Sequence, residues 1–260
     1  MRLIFLGTGT SFGVPQVGCT CRTCTSSDPR DKRTRAAVLV ETDGRRLLID
    51  TPPELRLQLV AAGVTGIDAV LFTHGHADHV HGIDDLRAIS VRHAGGLDVF
   101  GPADTMTELA RRFNYIFDPT VLAQPGTTKP DLRAHVLEAD RESDVAGVRV
   151  LPLRLPHGPH SVFGYRLGSL AYLTDAKTVP EAVRAQLRGL DVLVLNGLLS
   201  RPHPLHLSIP EAVATAQDIG ARRTFLTHLT HETPHAELET RLPPGVAPAY
   251  DGLSIEVGRP

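Results

Sequence analysis

Short apolar runs, many of them β-branched, recur along the chain and are closed by turn residues: Ala36 to Glu41, Arg46 to Asp50, Asp68 to Phe72 and Asp98 to Phe100 in the first half. Runs of this length and make-up predict strands. The second half continues the style with Val148 to Leu155, Phe163 to Leu167, Leu170 to Thr174, Asp191 to Leu195, Arg223 to Thr227 and a last strand at Leu253 to Val257. The opening Met1-Arg2-Leu3-Ile4-Phe5-Leu6 stops at Gly7. It is too short for a signal peptide or a membrane span and predicts a first strand. Asp43-Gly44, between two runs, predicts a tight hairpin because both residues tolerate positive φ.

Helix starts stand out at Thr51-Pro52-Pro53-Glu54, Thr178-Val179-Pro180-Glu181 and Ser208-Ile209-Pro210-Glu211. Each has capping-box spacing with proline in the first turn. Apolar spacing predicts two more helices, Ile83 to about His93 and Pro102 to about Phe113. The proline-rich stretch from Asn114 to Pro130 predicts a long surface loop between two halves. Two strand-rich halves, both with helices, predict an α/β fold of four αββα layers: two mixed sheets face to face with helices outside. A doubly wound parallel sheet is the alternative, but the hairpin-like pair from Phe163 to Thr174 favours mixed sheets. Length suits a single domain over 1–260.

Charge narrows the partners. With 27 basic and 29 acidic residues the formal charge is -2, so no global positive field is available to grip nucleic acid. Aromatic residues make up 5% of the chain and tryptophan is absent, which argues against stacking platforms for single strands. A small anionic substrate is expected, with no membrane partner and a homodimer left open. Lacking an export signal, the three cysteines are expected in a reducing compartment, the cytoplasm.

Directly after the strand ending at Phe72 comes Thr73-His74-Gly75-His76-Ala77-Asp78-His79. In an extended segment His74 and His76 point the same way and can converge on one ion, while Asp78 and His79 offer an oxygen and a nitrogen to a second. This mixture of donors suits zinc or manganese, with iron a third option. Four ligands in six residues are far more specific than a chance cluster of solvated histidines.

The pattern H-x-H-x-D-H after an apolar strand resembles the signature of the metallo-β-lactamase superfamily. That resemblance implies later ligands in order: His157, then Asp175 in Leu173-Thr174-Asp175, then His228 in Phe225-Leu226-Thr227-His228. It assigns His74, His76 and His157 to one ion, Asp78, His79 and His228 to the other, and Asp175 as the bridge. His160 competes with His157, which is preferred because it closes its strand. All the cysteine of the chain lies in Gly18-Cys19-Thr20-Cys21-Arg22-Thr23-Cys24. Thiols so spaced fit a structural zinc site, against free thiols or a redox pair. Together with Gly7-Thr8-Gly9-Thr10-Ser11 and Thr227-His228-Leu229-Thr230-His231, the trio resembles the phosphonate-pathway cyclic phosphodiesterases. In that family the structural zinc maps onto Cys19, Cys21, Cys24 and His231.

Two ions about 3.5 to 4 Å apart acidify a bridging water and clamp both oxygens of an in-line displacement at phosphorus. The resemblance therefore implies a phosphodiesterase acting through a metal-bridging hydroxide on a small cyclic or nucleotide-like substrate. Asp78 and His206 are the expected catalytic residues; His206 in Pro204-Leu205-His206 resembles an extra histidine beside the substrate phosphate and is placed to serve the leaving group. His203 is its rival. Asp50 and Asn196 are read either as groups orienting ligands or as plain turn residues. His81, His93, His135 and His235 read as surface histidines, and Gly7-Thr8-Gly9-Thr10 as tight packing beside the metal loop. Lactam, thioester or lactone hydrolysis, and a metal-dependent binding protein without turnover, are the competing functions. Processing of transfer RNA is less attractive without a basic arm.

Overall fold

A computed structural model describes residues 1–258. One seven-stranded sheet contains β1 (Arg2–Gly7), β2 (Ala37–Thr42), β3 (Arg45–Ile49), β4 (Ala69–Leu71), β5 (Leu97–Gly101) and β6 (Leu132–Val136). The second contains β7 (Ser143–Val145), β8 (Val148–His157), β9 (His160–Leu167), β10 (Leu170–Leu173), β11 (Val192–Asn196), β12 (Arg223–Thr227) and β13 (Val246–Pro248). Strand β14 (Ser254–Glu256) returns to pair with β1, giving the orders β14-β1-β2-β3-β4-β5-β6 and β13-β12-β11-β10-β9-β8-β7. Both sheets are mixed, antiparallel through the hairpins and parallel over β3 to β6 and over β10 to β13.

The near-continuous apolar runs are explained by burial of both strand faces. Leu3, Phe5, Val38, Val40, Val192 and Val194 point between the sheets. Their neighbours point outward, Ile4, Leu6 and Leu39 under the helices of one side and Leu193 and Leu195 under those of the other. The result is the αββα sandwich predicted. Asp43 and Gly44 turn the β2–β3 hairpin with φ of 51° and 75°. Among the described residues no helix is long and apolar enough to cross a membrane.

Local signals were less reliable at the prolines. Ser208 forms a complete capping box with Glu211 at the start of the helix Ile209–Ile219. Thr51 does not cap: its N–H donates to His79 O at 2.7 Å, and the helix begins only at Leu55. Thr178 is displaced likewise, since Pro180 occupies the N-cap and Glu181 is the first helical residue. The expected helix from Ile83 splits into a 3-10 turn, Ile83–Leu86, and a helix Arg87–Ser90. The Asn114 loop opens with a short helix, Asn114–Phe117. Strands β6, β7 and β13 and the helix His235–Arg241 carry no clear sequence pattern; β6 and β7 are edge strands. The helix Ala103–Arg112 lies where apolar spacing placed it.

Candidate active site

In open α/β sheets, parallel strands deliver their carboxyl ends to one edge, where ligands bind. That edge collects Asp50 after β3, the histidine loop after β4, Asp175 after β10, Asn196 at the end of β11 and His228 after β12. The hairpin strand β8 brings His157 to the same place. The sheets are tied there by Phe163 N–H donating to Thr73 O at 2.9 Å and Tyr165 Oη donating to Phe72 O at 2.5 Å. Asp50, Asp175 and His228 adopt φ of 67°, 58° and 56°. Left-handed backbone at non-glycine residues costs energy and concentrates where geometry serves a site.

His74, His76 and His157 place one ring nitrogen each within 4.8 Å of one another; so do the ligand atoms of Asp78, His79 and His228, and those of His74, His79 and Asp175. His74 Nε2 lies 2.9 Å from His76 Nδ1. Asp175 sits between the groups, its Oδ2 3.2 Å from His79 Nε2 and its Oδ1 3.3 Å from His228 Nε2. Asp78 Oδ2 is 3.4 Å from His79 Nε2 and 3.6 Å from His228 Nε2.

The outer hydrogen bonds set the tautomers. His79 Nδ1–H donates to Asp50 Oδ2 at 2.7 Å, so its Nε2 carries a lone pair towards the centre. His157 Nδ1–H donates to Leu205 O at 3.0 Å, with the same consequence. Thr73 gives its hydroxyl proton to Asp50 Oδ2 at 2.8 Å, which leaves its oxygen to accept from His74 Nδ1–H at 3.0 Å. Asp50 thus holds rings of both groups, and Thr73 N–H completes its cradle at 2.8 Å. Asp50 and Asn196 are not turn residues at the surface; both are fully buried. Asn196 Oδ1 accepts from Ala176 N–H at 2.8 Å and its amide donates to Ala176 O, clamping the residue after Asp175.

A divalent cation fits this donor set. His79 Nε2 and both nitrogens of His228 are buried with no hydrogen-bond partner, a cost of about 1–3 kcal/mol each, and a cation taking the lone pairs of His79 Nε2 and His228 Nε2 removes two of the three. Burial disfavours every charge here, yet His228 and His79 hold the Asp175 carboxyl well below the usual range. Against the same burial, Asp78, Asp175 and Asp50 raise His79 well above an ordinary imidazole, which favours a positive charge at Nε2, a proton or a cation in its place. The centre is built to hold positive charge.

His206 stacks on His228 with ring centroids 5.0 Å apart, meets the His157 edge at 4.8 Å and puts Nδ1 3.3 Å from Asp175 Oδ1. Burial, opposed by Asp175, pushes it down to about 3, so it is a neutral imidazole at pH 7. His203 lies one ring further out, 5.2 Å from His206. His160 does not join the cluster; it is exposed and lines the mouth of a cleft of about 380 Å³ with Glu108, Arg112, Ser161 and the His74–His76 turn. Sequence reasoning missed Glu108 and Arg112, which reach the cleft from the helix Ala103–Arg112 with no local signal beyond a polar helix face.

The cysteine loop makes a second donor set. Cys19, Cys21 and Cys24 place Sγ 3.2, 3.3 and 3.4 Å from His231 Nδ1. Tetrahedral zinc with ordinary bond lengths separates such donors by about 3.5 Å. No disulfide forms. The Cys24 N–H, 3.5 Å from Cys21 Sγ, lowers that thiol to about 6. Gly9 pairs with Leu229, which locks the first loop against the segment between His228 and His231. His81 packs edge-on to Phe113. His235 is not a surface residue: its ring is buried, Nδ1 accepts from Arg33 Nη2 at 3.1 Å, and its N–H donates to Asp31 Oδ1 at 2.6 Å.

Residues 45–229 match a family model described as the beta-lactamase superfamily domain. An octanoyltransferase of Porphyromonas gingivalis is 42% identical over 97% of this chain and 51% of its own length; the chain spans about half of that relative. A crystal structure of a diphosphatase from the PhnP family superposes with a TM-score of 0.90 at 40% identity, covering 98% of this chain and 97% of that one. Zinc-bound PqqB from Methylobacterium extorquens shares the fold, with a TM-score of 0.81 at 21% identity over 98% of this chain and all of its own.

Proposed function

The chain belongs to the beta-lactamase superfamily and, within it, to the PhnP family, and from that premise we propose that it is a single-domain hydrolase of small phosphodiesters using two divalent ions. His74, His76 and His157 would hold one ion and Asp78, His79 and His228 the other, with Asp175 within reach of donors from both groups. A third ion, zinc, is structural and is held by Cys19, Cys21, Cys24 and His231; reduced metal-binding thiols suit the cytoplasm. The observation that carries the reading is the convergence of buried imidazole nitrogens, stripped of other partners, around Asp175.

Divalent ions bound there lower the pKa of water towards neutrality and offset charge on phosphoryl oxygens. The protein side of the chemistry follows from the hydrogen bonds. Asp50 and Thr73 keep His79 and His74 in the tautomers that turn Nε2 inward. His206, neutral and seated over His228 and His157, donates an N–H to a phosphoryl or leaving oxygen; imidazolium acid catalysis does not suit its low pKa. Substrate enters by the cleft under Arg112 and His160.

The PhnP-family relative, a diphosphatase, favours phosphorus as the centre attacked and adds the phosphoric anhydride as a second bond to examine. Acyl transfer is not carried over from the octanoyltransferase, of which this chain spans about half. The test is metal analysis of the purified chain combined with a panel of cyclic and linear phosphodiesters, a diphosphate, a lactam and a thioester. Hydrolysis of a phosphodiester, lost in folded Asp78→Ala and Asp175→Ala, is expected. Activity retained in either variant refutes the dinuclear mechanism, and a metal-replete protein silent across the panel supports the binding-protein alternative.

A further inference from the structure

Most of the proposed imidazole ligands are held from behind. His74, His79 and His157 each donate an outer ring N–H, to Thr73 Oγ1, Asp50 Oδ2 and Leu205 O. His228 has no such bond but is buried, 2% exposed, and fixed by packing. His76 is different, since its side of the centre faces the cleft and the residue is solvent-exposed. Its ring bond is the one to its fellow ligand His74. The position of His76 must therefore come from its backbone.

That backbone is gripped from the neighbouring helix. Arg112 Nη1 donates to Gly75 O at 2.6 Å, and Arg112 Nη2 donates to Glu108 Oε1 at 2.5 Å. The other oxygen, Glu108 Oε2, lies so close to Gly75 that a Cβ there would come within 2.3 Å of it. The carbonyl of the residue between the two histidines is thus held by the guanidinium, and its Cα is abutted by the carboxylate, of one ion pair a turn apart on the helix Ala103–Arg112. The helix itself is anchored, because Met106 and Leu109 are buried in the core beneath it.

We infer that the Arg112–Glu108 pair is the positioning element for His76, replacing the outer hydrogen bond that the other ligand rings receive, and that it sets the metal affinity of the His74–His76–His157 side. This rests on the metal-dependent reading above. A planar fork can hold a carbonyl and a carboxylate at once, which a lysine ammonium does only as a point charge. Outer partners of metal ligands typically change affinity about 10–100-fold when removed.

The experiment uses the full chain with its thiolate zinc retained and the other ions stripped by a mild chelator. Mn²⁺ alone is then titrated, since oxygen and imidazole donors accept it and thiolates favour zinc. Arg112→Ala and Glu108→Gln should bind Mn²⁺ about ten-fold or more weakly, with Arg112→Lys between them and wild type. At saturating Mn²⁺ any change in KM for an aryl phosphodiester should be smaller than the loss of Mn²⁺ affinity. Mn²⁺ affinity equal to wild type with a raised KM overturns the inference and makes Arg112 a substrate contact, leaving the metal reading intact. Wild-type protein that takes up no Mn²⁺ overturns both. Glu108→Gln preserves shape and helix propensity, so it decides the matter if Arg112→Ala fails to fold.

Discussion

Replacing Asp50 by asparagine preserves volume and removes one oxygen's worth of acceptance from a fully enclosed site. The carboxylate takes Thr73 N–H at 2.8 Å on Oδ1, and Thr73 Oγ1–H at 2.8 Å and His79 Nδ1–H at 2.7 Å on Oδ2. An asparagine offers an oxygen on one side and two donors on the other. If its NH₂ faces Thr73 N–H, two buried donors oppose each other. If it faces His79, the imidazole must present a lone pair at Nδ1 and carry its proton on Nε2, where the ion would bind. Either arrangement costs about 1–3 kcal/mol. At about 1.4 kcal/mol per decade, metal affinity should fall roughly ten- to hundred-fold, in line with outer-shell effects elsewhere. Competition with a chromogenic chelator at constant pH reads this directly, with circular dichroism to show that Asp50→Asn is folded. A folded variant binding metal within two-fold of wild type would refute the tautomer argument.

Cys21→Ala should abolish the thiolate zinc and lower Tm by several degrees while turnover per intact active site falls much less; unchanged zinc content in elemental analysis removes the structural-zinc assignment. His206→Gln should leave metal content intact and reduce kcat by about 10²-fold, the low end for losing one hydrogen-bond donor to a developing oxyanion; an unaltered kcat under saturating substrate would show that its ring only packs. For His235, burial and the Arg33 guanidinium lower the imidazole to about 4, against 6.5 when exposed. The unfolded chain therefore holds the extra proton between those values, so stability is present above pH 6.5 and falls as pH drops towards 4, by up to about 3 kcal/mol. His235→Asn retains an acceptor for Arg33 without titrating, so its Tm should drop less than wild type between pH 7 and pH 5; parallel curves would contradict the assignment.

Much of the architecture could be read without coordinates because its causes are local. Strands such as β2 and β11 are apolar on both faces, and that pattern alone demands cover on both sides. Ser208 capped its helix as its spacing required, whereas Thr51 did not, because His79 O claims its backbone N–H from 28 residues away in sequence. The donor types of the site were equally legible, since His74, His76, Asp78 and His79 fall within six residues, as do Cys19, Cys21 and Cys24.

What the chain order could not disclose is how those donors are oriented. Tautomers depend on Asp50 and Leu205 O, which approach His79 and His157 through separate strands and loops. The left-handed backbone at Asp175 and His228 is imposed by the sheet edge; neither residue type announces it. His235 looked like any polar surface residue until Arg33 and Asp31 were brought against it across the fold. Local periodicity and donor chemistry are properties of a few adjacent residues, and the sequence determines them alone. Desolvation, hydrogen-bond direction and the cleft wall built by Glu108 and Arg112 depend on groups distant along the chain, and only packing the two sheets and their helices decides them.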